Sequence, residues 1–490
     1  MLYPPMETVK KLLKSYLTVP VFAGALTDCA TPVGIFTALK KGSENCFLME
    51  SVEQSKRWGR YSFIGTNPKA EINVKDGKTT VTSGGRSHTE VSGKPGGFLT
   101  SFLKKYRSPH FPRYPRFTGG LVGYFGYDMM RYLEPKLGPP PNDDLGMPDC
   151  VLHLYDEVVA FDHLNGKTYV ILHIDRKSDV EQQYRACEKR AAELFRSIAH
   201  SEPEIRQRCQ QSEAPIIRCN VTKEEFISRI EKAKKYIRAG DVFQIVPSRR
   251  FEVENPPDAF SVYRMLRSSN PSPYLYYLQA PDYQIAGASP EMLVRVENGT
   301  VTNKPIAGTS PRGRDETEDR RLEQALLRDE KERAEHTMLV DLGRNDVGRV
   351  CDCGTVEVRD FMHVERASKV MHLVSEVRGK LRSDKSAADA LFSVLPAGTL
   401  SGAPKIRAMQ IIDELETVKR GVYGGAIGYL GFDGNVDTCI AIRTALFRNE
   451  KAYVQAGMGI VADSNPEKEY GESADKARAV LDAIRKAAKL

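Results

Sequence analysis

The chain reads as an α+β protein of mixed α and β segments, with packed, largely antiparallel sheets flanked by helices and a division into two domains. Three observations carry this. Turn dipeptides of the tight hairpin kind, Asn298-Gly299 and Asp433-Gly434, sit between β-rich runs. Long helical stretches stand beside these hairpins instead of alternating with single strands, which disfavours a doubly wound sheet. A polar stretch, residues 201–215, separates two helix-like segments.

Taken in chain order, residues 16–26 form an apolar run preceded by Lys10, Lys11 and Lys14. It mimics a signal peptide, but Pro20 interrupts it and no small-residue cleavage site follows, so it reads as a strand. Residues 134–149 hold Pro135, Pro139, Pro140, Pro141 and Pro148 and must be loop. Residues 179–198 read as a helix. Residues 222–238 do too, with Phe226, Ile230, Ala233 and Ile237 at helical spacing. These segments set an N-terminal domain at 1–200, a linker at 201–215 and a second domain at 216–490. In the second domain, 292–306 is a hairpin, 320–342 one long charged helix, 425–460 a set of short strands turned at Asp433-Gly434 and near Asn449-Glu450, and 473–489 a closing helix. Residues 119–128 echo residues 424–433, which reads as two strands needing close backbone approach at glycine.

The 490 residues carry 71 Lys+Arg against 64 Asp+Glu, a net +7 that is mild for this length. No basic run with interleaved aromatics occurs, so no nucleic-acid partner is expected. No apolar stretch reaches the roughly 18 residues that span a bilayer, so no membrane partner is expected either. Nine scattered cysteines read as reduced thiols in a cytoplasmic protein.

Chemistry concentrates between Gly240 and Lys476. Glu332 and Glu335 lie three apart and share a helix face, and Glu469 and Glu472 repeat that spacing. Two carboxylate pairs without a Cys/His cage suit a hard cation, Mg²⁺ before zinc, if the fold brings the pairs together. Residues 395–405 form a small-residue loop entering a helix, with Pro404 at a first-turn position and Ser401 or Gly402 as cap, and free N–H groups there attract carboxylates. A similar loop is read at residues 305–309. At Gln455-Ala456-Gly457-Met458-Gly459 the glycines let backbone approach a ligand. His372 and Arg443 sit in apolar surroundings, and a guanidinium there wants a carboxylate partner.

Six motifs then occur in order: Gly240-Asp241-Val242-Phe243-Gln244, Gly287-Ala288-Ser289-Pro290-Glu291, Pro305-Ile306-Ala307-Gly308-Thr309, Asp341-Leu342-Gly343-Arg344-Asn345-Asp346, Leu400-Ser401-Gly402-Ala403-Pro404-Lys405 and residues 455–459. Together they resemble the chorismate-utilising enzymes over nearly the whole chain, most closely the anthranilate synthase large subunits. The resemblance implies their two-domain fold. It implies Mg²⁺ on Glu335 and Glu472, with Glu332 and Glu469 beside them. It implies chorismate on Gly308, Thr309, Tyr429, Arg443, Gly457, Met458, Gly459 and Lys476, and acid/base roles for His372 and Glu291, with Thr399 orienting the ring.

Two positions mark the branch. Relatives that add water carry Lys where this chain has Gln244. Relatives that aminate at C4 carry a nucleophilic Lys where this chain has Ala307. The resemblance therefore implies amination at C2 followed by loss of pyruvate. It further implies feedback by L-tryptophan on Glu50-Ser51 and on Pro273, Tyr274 and Leu275. No glutaminase signature occurs in the chain, so ammonia from a separate glutamine amidotransferase subunit is expected.

Overall fold

A computed structural model describes residues 2–51, 59–91, 93–200, 214–367 and 370–489. The polar linker read at 201–215 lies outside these residues except for its last two. Two large antiparallel sheets pack face to face. In the first, the order of strands is Thr18–Leu26, Lys167–Asp175, Glu157–Asp162, Tyr61–Thr66, Cys46–Glu50, Tyr274–Ala280, Tyr283–Ser289, Thr444–Arg448, Lys451–Gly457, Ser248–Glu254 and Ile216–Cys219. In the second it is Ile306–Pro311, Val370–Lys380, Thr300–Asn303, Met292–Glu297, Val436–Ile440, Ala426–Gly431, Gly120–Phe125, Cys150–Tyr155, Ala70–Lys75, Lys78–Ser83 and Arg86–Val91.

The period-two alternation of the strands sorts side chains between layers. In Cys46–Glu50, Phe47 points between the sheets, while Cys46 and Leu48 face the helices. The inter-sheet core gathers Phe47, Phe63, Tyr124, Tyr155, Tyr276 and Tyr429. The outer face of the first sheet is covered by helices such as Val180–Ala199, Ala259–Ser269 and Pro466–Ala487. The outer face of the second is covered by Pro95–Lys104, Glu330–Gly348 and Ala387–Val394. The layers run helix, sheet, sheet, helix.

Both sheets draw strands from either side of residue 201, and the two sides repeat one topology. Thr18–Leu26, a helix at Pro32–Leu39, strands through Arg86–Val91, the helix Pro95–Lys104, four strands and the helix Val180–Ala199 match Ser248–Glu254, Ala259–Ser269, strands through Val370–Lys380, Ala387–Val394, the four strands from Ala426–Gly431 to Lys451–Gly457 and Pro466–Ala487. The second side adds the helices Glu316–Arg328, Glu330–Gly348 and Lys405–Leu415 and the short strand Gly402–Ala403. The echo at 119–128 and 424–433 is the seam between the two copies. Gly120–Phe125 pairs with Ala426–Gly431, setting Gly123 opposite Gly428. A Cβ on Gly120 would fall 2.1 Å from the Leu430 carbonyl oxygen, and one on Gly428 2.1 Å from that of Asp437. The strands approach there as closely as the sequence suggested.

Several elements match their sequence signals. Within the apolar run at 16–26, Thr18–Leu26 is a strand. Thr222 caps Lys223–Arg238 with a capping box completed by Glu225. Asn298-Gly299 turns its hairpin with both residues at positive φ. Others differ. The single helix expected at 320–342 is two, Glu316–Arg328 and Glu330–Gly348. They break at Asp329, which sits at ψ 110° and accepts from the Glu332 N–H to start the second. The closing helix begins earlier, at Pro466, because Asn465 caps it through the N–H groups of Glu467 and Lys468. Residues 306–311 are strand with a bulge at Gly308, not loop. Pro404 stands at the cap position, one residue before the first turn, and Gly402–Ala403 pairs with Gln244–Ile245. No helix among the described residues is long and apolar enough to cross a membrane.

Candidate active site

The site forms where the second copy of the topology meets the two helices bearing the glutamates. Glu291 follows strand Tyr283–Ser289, and its carbonyl accepts from the Ile440 N–H at 3.0 Å. The Thr399 hydroxyl, in the single turn Gly398–Leu400, donates to Glu291 Oε1 at 3.0 Å. Enclosure pushes the Glu291 carboxyl up to about 7, against the opposing pull of Thr399, Lys476 and Arg443. At neutral pH it is therefore partly protonated, as a proton donor needs.

Arg443 joins two strands at φ 52°, a left-handed conformation costly for a side-chain-bearing residue. Its carbonyl accepts from the Ala288 N–H at 3.2 Å, which locks this bend to the strand leading into Glu291. Burial lowers the guanidinium's pKa against the neighbouring Tyr423, Glu472 and Glu291 charges, although the group stays cationic. His372, on Val370–Lys380, places Nδ1 3.1 Å from the Gly308 carbonyl and 3.2 Å from the Thr309 hydroxyl. A carbonyl can only accept, so Nδ1 carries the proton and Nε2 keeps its lone pair. Burial first, and the Arg443 charge further, lower the His372 pKa, leaving the ring neutral.

The four glutamates face one another. Burial raises Glu332, Glu335 and Glu469, and each is raised further by neighbouring members of the group. As they stand, among the described residues no group of three or more His, Cys, Asp or Glu closes on a common point. Glu472 is drawn to Lys476 at 2.7 Å, and Glu335 accepts from Gln244 Nε2 at 3.2 Å. Mutually repelling carboxylates offering only oxygen donors are the donor set a hard divalent cation takes. Gly308 lies against this group: a Cβ there would be 3.2 Å from Glu332 Oε2.

The glycines at 457 and 459 have steric reasons. A Cβ on Gly457 would lie 2.9 Å from the Tyr423 hydroxyl, and one on Gly459 would lie 2.3 Å from Gln244 Nε2. Met458 is 1% exposed and packs into a cluster with Phe226, Ile230 and Ile411, so only its backbone faces the site.

Tyr429 is elsewhere. Its ring lies 4.3 Å from that of Phe117, on the wall of a partly open cavity between the sheets. The tyrosine beside Arg443 and Gly457 is Tyr423, which the sequence reading passed over. Its setting, Gly421-Val422-Tyr423-Gly424-Gly425 entering a strand, was the available signal. Ser51, Pro273, Tyr274 and Leu275 come together on that same cavity, with Tyr429. Tyr274 donates to Asp437 at 2.8 Å across the cavity floor.

The sequence model of the chorismate binding enzyme family matches residues 44–482. The anthranilate synthase component 1 of Acetivibrio thermocellus is 49% identical over 495 residues, covering 100% of both chains. The crystal structure of anthranilate synthase component I from Streptococcus pneumoniae superposes with a TM-score of 0.77 at 42% identity, over 88% of this chain and 94% of that one. The menaquinone-specific isochorismate synthase of Escherichia coli superposes at 0.69 over 98% of both chains, and at 19% identity it shares the fold alone.

Proposed function

We propose that this chain, which belongs to the chorismate-binding enzyme family and aligns end to end with its anthranilate synthase component 1 members, converts chorismate and ammonia to anthranilate, pyruvate and water. The observation that carries the chemistry is the Glu291 carboxyl, held near neutrality by enclosure and hydrogen-bonded to Thr399, next to the cations Arg443 and Lys476. Ammonia forms a bond to C2 as the ring double bonds shift. The C4–oxygen bond breaks, and Glu291 gives its proton to the departing hydroxyl, which leaves as water, while the ammonium formed at C2 loses a proton and so replaces the one Glu291 gave. The neutral His372, with Nε2 unprotonated, then takes the proton from C2. The C3–oxygen bond breaks, the enolpyruvyl group departs and takes a proton at its methylene carbon to become pyruvate, and the ring becomes aromatic.

Arg443 would hold one chorismate carboxylate, with the backbone of Gly308, Gly457 and Gly459 around the ligand. The glutamates would hold Mg²⁺, principally Glu335 and Glu472, and bound there the ion would neutralise a substrate carboxylate. Gln244 supports ammonia over water as nucleophile. It cannot act as a base, and its Oε1 is buried without a hydrogen-bond partner among the described residues, an acceptor suited to an N–H of ammonia. Ala307 supports C2 amination, because no amine is present there to form a covalent adduct.

The N-terminal part, to about residue 200, is read as regulatory. The inter-sheet cavity supports this, since Met49, Glu50 and Ser51 line it from one half and Pro273, Tyr274 and Leu275 from the other. L-tryptophan bound there would bias the relation of the halves. A glutamine amidotransferase subunit would supply the ammonia, and the free thiols suit a cytoplasmic setting. The test is pyruvate release from chorismate by the purified chain with ammonium salt. One pyruvate per chorismate, stopped by EDTA and by tryptophan, is expected. Turnover insensitive to EDTA would overturn the metal assignment.

A further inference from the structure

Behind the site lies a wholly buried ion pair that the chemistry above does not use. Arg420, in the turn after helix Lys405–Leu415, is 5% exposed. It donates to the Leu400 carbonyl at 2.7 Å from Nη1 and to the Val246 carbonyl at 2.6 Å from Nη2. It also forks onto Glu416, at 2.8 Å from Nε and 2.5 Å from Nη2. Glu416 in turn accepts the Ser248 N–H at 2.7 Å and the Ser248 hydroxyl at 2.9 Å. The guanidinium stacks over Tyr127 at 4.5 Å and lies 5.6 Å from the Tyr423 ring.

The two carbonyls it grips belong to the two short segments that carry the site's polar contacts. Leu400 follows Thr399, whose hydroxyl holds Glu291. Val246 lies two residues after Gln244, whose amide holds Glu335. These segments meet through the two-residue ladder Gln244–Ile245 with Gly402–Ala403, the bond from the Phe243 N–H to the Ala403 carbonyl and that from the Val246 N–H to the Ser401 carbonyl. A ladder that short is marginal alone. A planar fork bonding both segments and one carboxylate fixes their spacing in a way a single ammonium cannot.

We infer that Arg420 is a positioning residue for the proposed reaction, setting Thr399 against Glu291 and Gln244 against Glu335 without touching substrate. The inference rests on the reading of Glu291 as proton donor. Its consequence is electrostatic as well as geometric. Thr399 stabilises the ionised Glu291 carboxylate, so a Thr399 released from its place lets Glu291 hold its proton to higher pH.

The test uses the full chain and two variants. Arg420→Lys keeps the charge but loses the fork. The paired change Arg420→Met with Glu416→Leu removes both buried charges, a replacement that folded cores accept well. Circular dichroism and thermal unfolding identify the folded variants, and one folded variant suffices. The Glu291 carboxyl is titrated by infrared difference spectroscopy against Glu291→Gln, with no substrate present. The Glu291 titration midpoint is expected to rise by about half to one pH unit, the shift one hydrogen bond sustains. It should match the rise in Thr399→Val, and adding Thr399→Val to the Arg420 variant should add nothing. Where chorismate is turned over, kcat should fall about tenfold or more while KM for chorismate stays within about threefold. A midpoint unmoved in a folded Arg420 variant, or shifts that add with Thr399→Val, overturns the inference. Absent turnover by the wild-type chain would instead count against the reaction, because the titration stands without it.

Discussion

Replacing Glu291 by Gln separates what this carboxyl does for chemistry from what it does to the fold. The folded state moves its pKa from 4.5 to about 7, chiefly by enclosure. For an acid that direction means the folded protein binds the proton more tightly than the unfolded chain. Stability is therefore undiminished below about pH 4.5, falls as pH rises through the window to 7, and above it carries the full cost of a charged group out of water. At about 1.4 kcal/mol per pH unit, a shift of roughly 2.5 units corresponds to about 3 kcal/mol. Gln has the same shape and no charge, and it still accepts from Thr399. At pH 8.5 the variant should be more stable than the parent by up to about 3 kcal/mol, and at pH 4.5 the two should agree within about 0.5 kcal/mol. Turnover should fall by about 10²- to 10⁴-fold, the usual contribution of a positioned proton donor. Urea unfolding at the two pH values, with and without the substitution, reads the first effect, and steady-state kinetics reads the second. A stability gap independent of pH, or a less stable variant at pH 8.5, would refute the assignment of Glu291 as an enclosed, strained acid.

Other expectations follow from single contacts. Arg443→Ala removes the guanidinium read as holding a substrate carboxylate, and KM for chorismate should rise about 10- to 100-fold in steady-state assays, as for loss of a charge-assisted hydrogen bond. Gly459→Ala puts a methyl 2.3 Å from Gln244 Nε2 and so displaces that amide. KM for ammonium should rise about tenfold or more, and by more than KM for chorismate. Met49→Trp puts a larger side chain into the inter-sheet cavity that Met49 lines. Tryptophan should then neither bind by calorimetry nor inhibit, while kcat is retained.

Much of this was legible in the chain because local signals decide local structure. Asn298-Gly299 and Asp433-Gly434 can adopt the positive φ that hairpin turns need. Thr222 and Glu225 form a box that starts a helix wherever the rest of the chain lies. The break at Asp329 was missed because helical periodicity continues through it, and only the capping bond to Glu332 reveals it. The carboxylate spacing was visible, whereas the engagement of Glu472 with Lys476 and of Glu335 with Gln244 is a matter of tertiary geometry. Tyr423 and Tyr429 lie six residues apart beside the same run of glycines, and nothing local says that one faces Arg443 and the other Phe117. The repeated topology was equally hidden. Its only sequence trace is ten residues of glycine-rich echo, kept where a Cβ would strike a neighbouring strand. Arg420 reads as an ordinary charged residue until the fold buries it between two carbonyls.

The most direct test of the central claim is to supply the purified chain with chorismate, Mg²⁺ and ¹⁵N-ammonium and identify the product by mass and NMR. Anthranilate with ¹⁵N on the ring carbon adjacent to the carboxylate-bearing carbon, and one equivalent of pyruvate, is the predicted result. A product aminated at C4, or an unlabelled isochorismate formed by addition of water, would contradict the roles given to Ala307 and Gln244 and with them the account of the site.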